Sequence, residues 1–297
     1  MTTNKSSSTR LIPTYWYNMI QHGFFISVFS APIQRHTMHV VPISPWPIVT
    51  AFSIMFLLIT TVGFFRYVPF SSSLIFLCLF LFISSLLLWG SDVILEGTLL
   101  RMHTLLMQRS FVFAVILFIL SEVMFFFSFF WSFFHYSLSP SVFIYCVWPP
   151  IGISIISPWG IPFLNTIILL SSGVSLTVAH RAFLSNRFIT ASVYLFYTIV
   201  LGLLFTLCQL FEYMNCSFSI NDSVYGSIFF LMTGFHGLHV IVGTVFLILT
   251  LFRLQCETFE VSFFSTYHIG FDLAAWYWHF VDVVWLFLFS AVYWWGS

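Results

Sequence analysis

Seven long apolar stretches dominate the chain, at about 47–67, 72–95, 111–136, 160–181, 190–212, 224–252 and 268–295. Each reaches the roughly 20 residues that cross about 30 Å of hydrocarbon at a rise of about 1.5 Å per residue. The runs are uniformly apolar and lack the alternation of a membrane β-strand. A backbone in lipid must also satisfy its own hydrogen bonds, so the pattern predicts seven transmembrane helices. The last two stretches exceed the minimum length and have room to tilt or project. Turn formers separate them: Pro69 with Ser71, Ser72 and Ser73; Pro140, Pro149, Pro150, Pro158 and Pro162; Asn186 with Arg187; and Asn215, Asn221 and Asp222.

Composition removes the soluble alternative. Of 297 residues, 60% are hydrophobic and 6% charged, where a soluble domain carries about 25% charged residues. Net charge is zero and Lys5 is the single lysine. No basic patch suits a nucleic acid, and no acidic run suggests a solvated tail. The 41 phenylalanines fit a T-rich coding genome such as an organelle's.

The arginines give an orientation. With the N-terminus inside, the inner segments hold Lys5, Arg10, Arg35, Arg101, Arg109, Arg181, Arg187 and Arg253, and the outer segments hold Arg66 alone. Setting aside the N-terminal residues keeps the bias. Seven spans then put the C-terminus outside, with Trp294 and Trp295 at the interface. The expected organisation is an extension over 1–46, helices one and two over 47–96, an inner-side loop over 97–110, and helices three to seven over 111–297. Residues 11–31 are fairly apolar, but Pro13, Asn18, Gln21 and His22 interrupt them. No compact apolar run with a small-residue cleavage site marks a secretory signal. The extension reads as interfacial or partner-bound. An eighth span there is the alternative, and it would move Lys5 and Arg10 to the other side.

Polar groups inside hydrocarbon each need a reason, because a charge there costs about 2.5–3.5 kcal/mol. Glu122 lies about a third of the way into span three. It reads as a neutral carboxyl bonded to a neighbouring helix, as a proton site, or as a contact for a polar lipid group. Span six carries His236 and His239, three apart and near one face, with Gly234, Gly237 and Gly243 thinning the helix. Span seven carries His279 and Asp282 at the same spacing. These residues suggest an interhelical network in which His236, His239 and His279 bond one another, Glu122 or Asp282. A haem or metal site is the weaker reading, since no Glu-x-x-His pattern and no paired histidines on facing helices are present. Asp92, Glu96, Arg101 and His103 read as a solvated helix end. Cys78, Cys146, Cys208, Cys216 and Cys256 form no CxxC. A Cys146–Cys216 disulfide stays open. Nucleophile motifs and phosphate loops are absent, and no convincing repeat supports a transporter.

The same stretches resemble the subunit III family of the mitochondrial haem–copper cytochrome c oxidase. The match rests on Tyr267 through Phe287, with Trp276-Tyr277-Trp278-His279-Phe280-Val281-Asp282 at its centre. It also rests on Asp222 with Val224-Tyr225-Gly226-Ser227, on Thr233 through Val240, and on Ser121-Glu122-Val123 to Trp131. Trp148-Pro149-Pro150, Leu164-Asn165-Thr166, Ser172 through Ser175, Ala179-His180 and the Trp294-Trp295-Gly296-Ser297 ending agree too. The resemblance covers roughly residues 43–297. It implies a two-helix pair and a five-helix bundle around a V-shaped, lipid-filled cleft. It implies phospholipids (cardiolipin, phosphatidylethanolamine or phosphatidylglycerol type) at Glu122, Trp131, His135, His103, Arg253 and His268.

The family's subunit carries no metal or redox cofactor of its own. Haem and copper reside in partner subunits, and the partners implied are subunits I and II, accessory subunits and lineage-specific contacts for residues 1–42. The implied role is scaffold, lipid pool and support of proton uptake in the mitochondrial inner membrane, N-terminus in the matrix and C-terminus in the intermembrane space. A quinol-oxidase subunit is the neighbouring alternative. Trp89-Gly90-Ser91-Asp92-Val93-Ile94-Leu95-Glu96 lacks the two arginines common there in the family, and Arg181 replaces a common second histidine.

Overall fold

The computed structural model describes residues 43–98, 103–257 and 269–296. The described residues form seven long helices: α1 (Trp46–Phe65), α2 (Ser71–Thr98), α3 (Leu105–Leu138), α4 (Ile161–Leu184), α5 (Phe188–Met214), α6 (Ser223–Glu257) and α7 (Ile269–Leu288). α7 runs on as a π-helical segment, Phe289–Trp295. All seven are long and apolar enough to cross a membrane. Proline sits in the first turn of α1 and of α4, where its missing N–H costs nothing.

One boundary moves substantially. α3 begins at Leu105, inside the stretch read as a loop over 97–110. Gln108 and Arg109 lower the local hydropathy and hide the start. The local signal is Thr104, whose Oγ1 accepts a bond from the Met107 N–H at 3.4 Å, as an N-cap does. The consequence is positional: Glu122 lies at the centre of a 34-residue helix, where the sequence reading put it a third of the way in.

The chain divides into a first unit ending at Ser110 and a second beginning at Phe111. In the first, α1 and α2 form an antiparallel pair. Trp46 Nε1 donates to Asp92 Oδ2 at 2.5 Å near one end, and Thr50 and Ser85 hydroxyls meet at 3.2 Å further along. Ser53, Cys78 and Ser85 are buried in the seam, the small residues that let helices approach in lipid. Asp92, expected as a solvated helix end, is therefore an indole acceptor.

The second unit is organised around α7. Of an 18-residue apolar stretch of α7 and its continuation 56% is buried, against 6% for such a stretch of α3. Trp278, Val281, Trp285, Leu288 and Val292 are fully or almost fully buried. Both indoles are anchored on α4: Trp278 Nε1 donates to Ser172 Oγ at 2.9 Å, and Trp285 Nε1 to Thr166 Oγ1 at 3.0 Å. The Trp278 ring lies in a notch left by two glycines. A Cβ on Gly202 of α5 would fall 2.6 Å from the ring, and one on Gly243 of α6 2.9 Å. Three helices thus converge on one indole because two of them lack a side chain there.

Candidate functional site

Four features stand near the middles of their spans. Glu122, His239 and Asp282 lie at or within one residue of the centres of the spans Leu105–Leu138, Ser223–Gln255 and Ile269–Trp295, and Gly173 does so in Ile161–Leu184. Glu122 and His239 form a pair, with His239 Nε2 at 2.8 Å from Glu122 Oε2. His239 Nδ1 lies 2.7 Å from the Phe235 carbonyl. A carbonyl oxygen only accepts, so Nδ1 carries a proton. One further proton then lies between Nε2 and Oε2, and the pair is neutral overall whichever atom holds it. Phe125, Phe126 and Tyr277 rings surround the imidazole. A neutral pair avoids the cost of a lone charge at this depth.

The expected network separates into parts. His236 takes its own course: Nε2 donates to the Val281 carbonyl at 3.2 Å, while the ring packs on Phe205 and Trp285. His279 Nδ1 lies 3.7 Å from Asp282 Oδ2, too long for a hydrogen bond. Asp282 is buried beside Gly173, where a Cβ would lie 2.7 Å from its Oδ2.

An apolar groove of about 990 Å³ runs between α3 and α7, at the upper end of the roughly 300–1,000 Å³ of ligand pockets. At mid-depth it is walled by Val123, Phe126, Phe127 and Phe280. Further along stand Trp131, Phe134, Val283 and Phe287. His135, Ser139, Ser290 and Trp295 line its end. The groove is therefore graded, with hydrocarbon walls in the interior and polar atoms at the mouth. Trp131 and His135 belong to it. Glu122 does not line it, because its carboxyl turns away to His239, although its neighbour Val123 does.

The remaining predicted lipid residues lie elsewhere. Arg253 stands beside the first turn of α7, its Nη1 3.1 Å from where a Cβ on Gly270 would be. That is the opposite end from Trp295. Nearby, His180 Nε2 and Asp272 Oδ1 meet at 2.6 Å. His103 belongs to the first unit, against Gly97. His268 lies outside the described residues.

One polar cluster was not foreseen. Near the Trp295 end, Tyr293 Oη donates to Glu212 Oε1 at 2.7 Å. Tyr213 and Thr233 hydroxyls meet at 2.6 Å. Gln209 lies among Glu212, Tyr213 and Tyr293 without completing a hydrogen bond. The spacing of Gln209, Glu212 and Tyr213 on one helical face was the available signal. Glu212 also acts on the loop beyond: burial and this carboxyl push the Cys216 thiol up to about 11. Cys146 and Cys216 are both free, which removes the disulfide left open above. Among the described residues, no three His, Cys, Asp or Glu side chains converge as a metal site requires.

A family model described as "Cytochrome c oxidase subunit III" matches residues 36–297. The chain is similar to the protein named cytochrome c oxidase subunit 3 of Arabidopsis thaliana, 49% identical over 267 residues, 89% of this chain and 98% of that one. The protein of that name from Chondrus crispus is 46% identical over 275 residues, covering 92% of this chain and 98% of its own. The Myxine glutinosa protein is 48% identical over 264 residues, covering 89% and 99%.

Proposed function

The chain belongs to the cytochrome c oxidase subunit III family, and from that premise we propose that it holds phospholipid and steadies the oxidase in the mitochondrial inner membrane, with its N-terminus in the matrix and its C-terminus in the intermembrane space. It is an integral membrane protein and a non-catalytic subunit of the oxidase complex. Electrons pass from cytochrome c to dioxygen through haem and copper in partner subunits. Subunits I and II and accessory subunits are the proposed neighbours of this chain.

The observation that carries the lipid reading is the gradient along the α3–α7 groove. An acyl chain has no polar atoms and fits between Phe126, Phe127, Phe280 and Phe287; a headgroup needs polar partners and finds the side chains of His135, Ser139 and Trp295 at the mouth, where the Ser290 hydroxyl already donates to the Leu286 carbonyl. Burying about 0.8 kcal/mol of CH2 at a time favours chain insertion where water is otherwise the alternative. In a bilayer that gain vanishes against other lipid, and retention then depends on shape and on the polar mouth. Glu122 and His239 act behind this wall. Because the pair holds one shared proton, it places a protonatable group at mid-depth without a net charge. We assign it to the environment of proton uptake, and Arg253, His103 and His268 to headgroups on the matrix side.

The test is purification in mild detergent. The chain should travel with the haem-bearing subunits and with tightly held phospholipid. Ala291→Trp, which fills the groove wall, should reduce the retained phospholipid while the haem spectrum of the complex stays unchanged. A chain that purifies without the haem-bearing subunits, or a Soret band that stays with it after subunit I is removed, overturns the reading. Unchanged lipid content in Ala291→Trp overturns the groove assignment alone.

A further inference from the structure

The stretch 139–160 joins α3 to α4 at the Trp295 end of the second unit. It carries no Asp, Glu, Lys, Arg or His. Its apolar side chains take two directions. Trp148 turns inward, its ring 5.7 Å from Phe133 and 5.5 Å from Tyr225, and Ile153 and Ile156 pack on the core. Val142, Phe143 and Tyr145 turn outward and are 80%, 97% and 79% exposed. The backbone of this outward tip is closed on itself. Val142–Ile144 form a 3-10 turn, and Tyr145 and Cys146 follow with φ of 58° and 56°. That left-handed pair turns the chain back. The N–H groups of Ile144, Tyr145, Cys146 and Val147 all meet carbonyls of residues 141–144. Water would satisfy those groups unaided, whereas a lipid surface would not.

Height agrees with this. The Trp295 ring lies against Phe133 and Phe134, and an indole at a helix end favours the membrane interface. α3 ends at Leu138, about 6 Å beyond Phe134 along its axis. The chain is back beside Phe133 at Trp148. Both roots of the tip are therefore held close to the plane of the Trp295 indole. Ser139, the first residue of the stretch, lines the mouth of the α3–α7 groove. The tip thus stands at the lightly covered α3 flank of the unit.

We propose that the turn Val142–Tyr145 is a membrane-entering wedge, embedding Val142, Phe143 and Tyr145 in the phospholipid interface beside the groove mouth. A lipid surface is the fitting occupant for three reasons: the stretch offers no charge to water, its tip needs no outside partner for those N–H groups, and it is tethered at interface height. Tyr145 supplies the aromatic body and polar tip that suit such a boundary. The wedge depends on the membrane-spanning fold and not on lipid held in the groove, so either can fail without the other.

The experiment uses the intact oxidase reconstituted in phosphatidylcholine vesicles. A nitroxide is attached at Phe143→Cys and, separately, at Tyr145→Cys, each in a Cys146→Ser background whose own labelling is subtracted. Collisions with dioxygen, which concentrates in lipid, are compared with collisions with a water-soluble nickel chelate. Dioxygen should dominate at both positions. Asn221→Cys, on the exposed turn beside Asp222, should show the reverse. Dominance of the nickel chelate at 143 or 145 means the tip stands in water and overturns the proposal. A label shielded from both reagents means that protein covers the tip, and this overturns it equally. If one substitution prevents assembly, the other position decides; if both do, dioxygen and chelate quenching of a fluorophore on native Cys146 decides by the same criterion.

Discussion

The Glu122–His239 pair lends itself to a double-mutant cycle whose outcome is fixed by its geometry. Glu122→Leu strips the partner from His239 Nε2, now facing hydrocarbon across a gap that was 2.8 Å. Its cost is about 1–3 kcal/mol for an unmet buried group. His239→Phe leaves the carboxyl alone at the helix centre, worth about 2.5–3.5 kcal/mol if ionised and less once it takes up a proton. The double variant Glu122→Leu with His239→Phe leaves neither orphan and adds apolar contact with Phe125, Phe126 and Tyr277. Additivity would make its cost the sum of the two singles, whereas the structure makes it milder than that sum. The coupling should be about 1–2 kcal/mol. Intramembrane hydrogen bonds average about 0.6 and reach about 1.7 kcal/mol in such cycles, since helices separated in the bilayer find other partners, and a pair sharing a proton belongs at the top of that range. Glu122→Gln should cost little, because its amide donates to Nε2. The assay is detergent-induced loss of this chain from the purified oxidase. A double variant as damaged as the sum of the singles would refute the reasoning.

Gly202→Ala should destabilise the second unit by about 1–3 kcal/mol through overpacking, since the new Cβ falls 2.6 Å from both Trp278 and Thr244; thermal release of the chain from the complex measures it, and wild-type behaviour would mean the indole notch is loose. Cys216, with its thiol pushed up from 9.0 to about 11, should hold about a hundredfold less thiolate than an unperturbed thiol at neutral pH and react correspondingly slowly with a water-soluble maleimide; rapid labelling followed by mass spectrometry would contradict this. Asp222 has its carboxyl held below the usual range by the Ser219 N–H and hydroxyl, at 2.7 and 3.0 Å. A lowered carboxyl stabilises the turn above its unfolded value of about 3.9 and loses that contribution as pH falls through the folded value. Amide exchange at Ser219, corrected for its intrinsic pH dependence, should therefore show protection at pH 6 that disappears in strong acid, and pH-independent protection would refute the assignment.

The seven apolar runs were legible because hydrocarbon demands length and uniformity, and both are one-dimensional properties. What failed was local or relational. The start of α3 was hidden because hydropathy weighs Gln108 and Arg109 while ignoring the capping geometry of Thr104. His236 and His239 share a face loosely: three residues at about 100° each leave them about 60° apart, enough for one to meet Val281 on α7 and the other Glu122 on α3. Glu212 escaped notice at the end of a span, where an acid reads as ordinary interface; its burial depends on Tyr293 arriving from α7. The walls of the groove could not be read from hydropathy, because they are the faces of α3 and α7 that remain uncovered and both helices are apolar nearly all round; the family resemblance pointed to two of its residues, Trp131 and His135.

The side-chain bonds between helices of the second unit have a common effect on height. Apolar cylinders in lipid slide along one another at little cost, since a leucine displaced by one turn meets another leucine. Glu122 with His239, Trp278 with Ser172, Trp285 with Thr166, Ser175 with Thr198, Tyr213 with Thr233 and Tyr293 with Glu212 tie α3 to α6, α7 to α4, α4 to α5, α5 to α6 and α7 to α5. A slip of one turn, about 5.4 Å, breaks every tie made by the helix that moves. Vertical alignment is thus decided by a handful of hydroxyls, indoles and carboxyls, and a bundle assembled one rung out of step would announce itself by several stranded polar atoms at once.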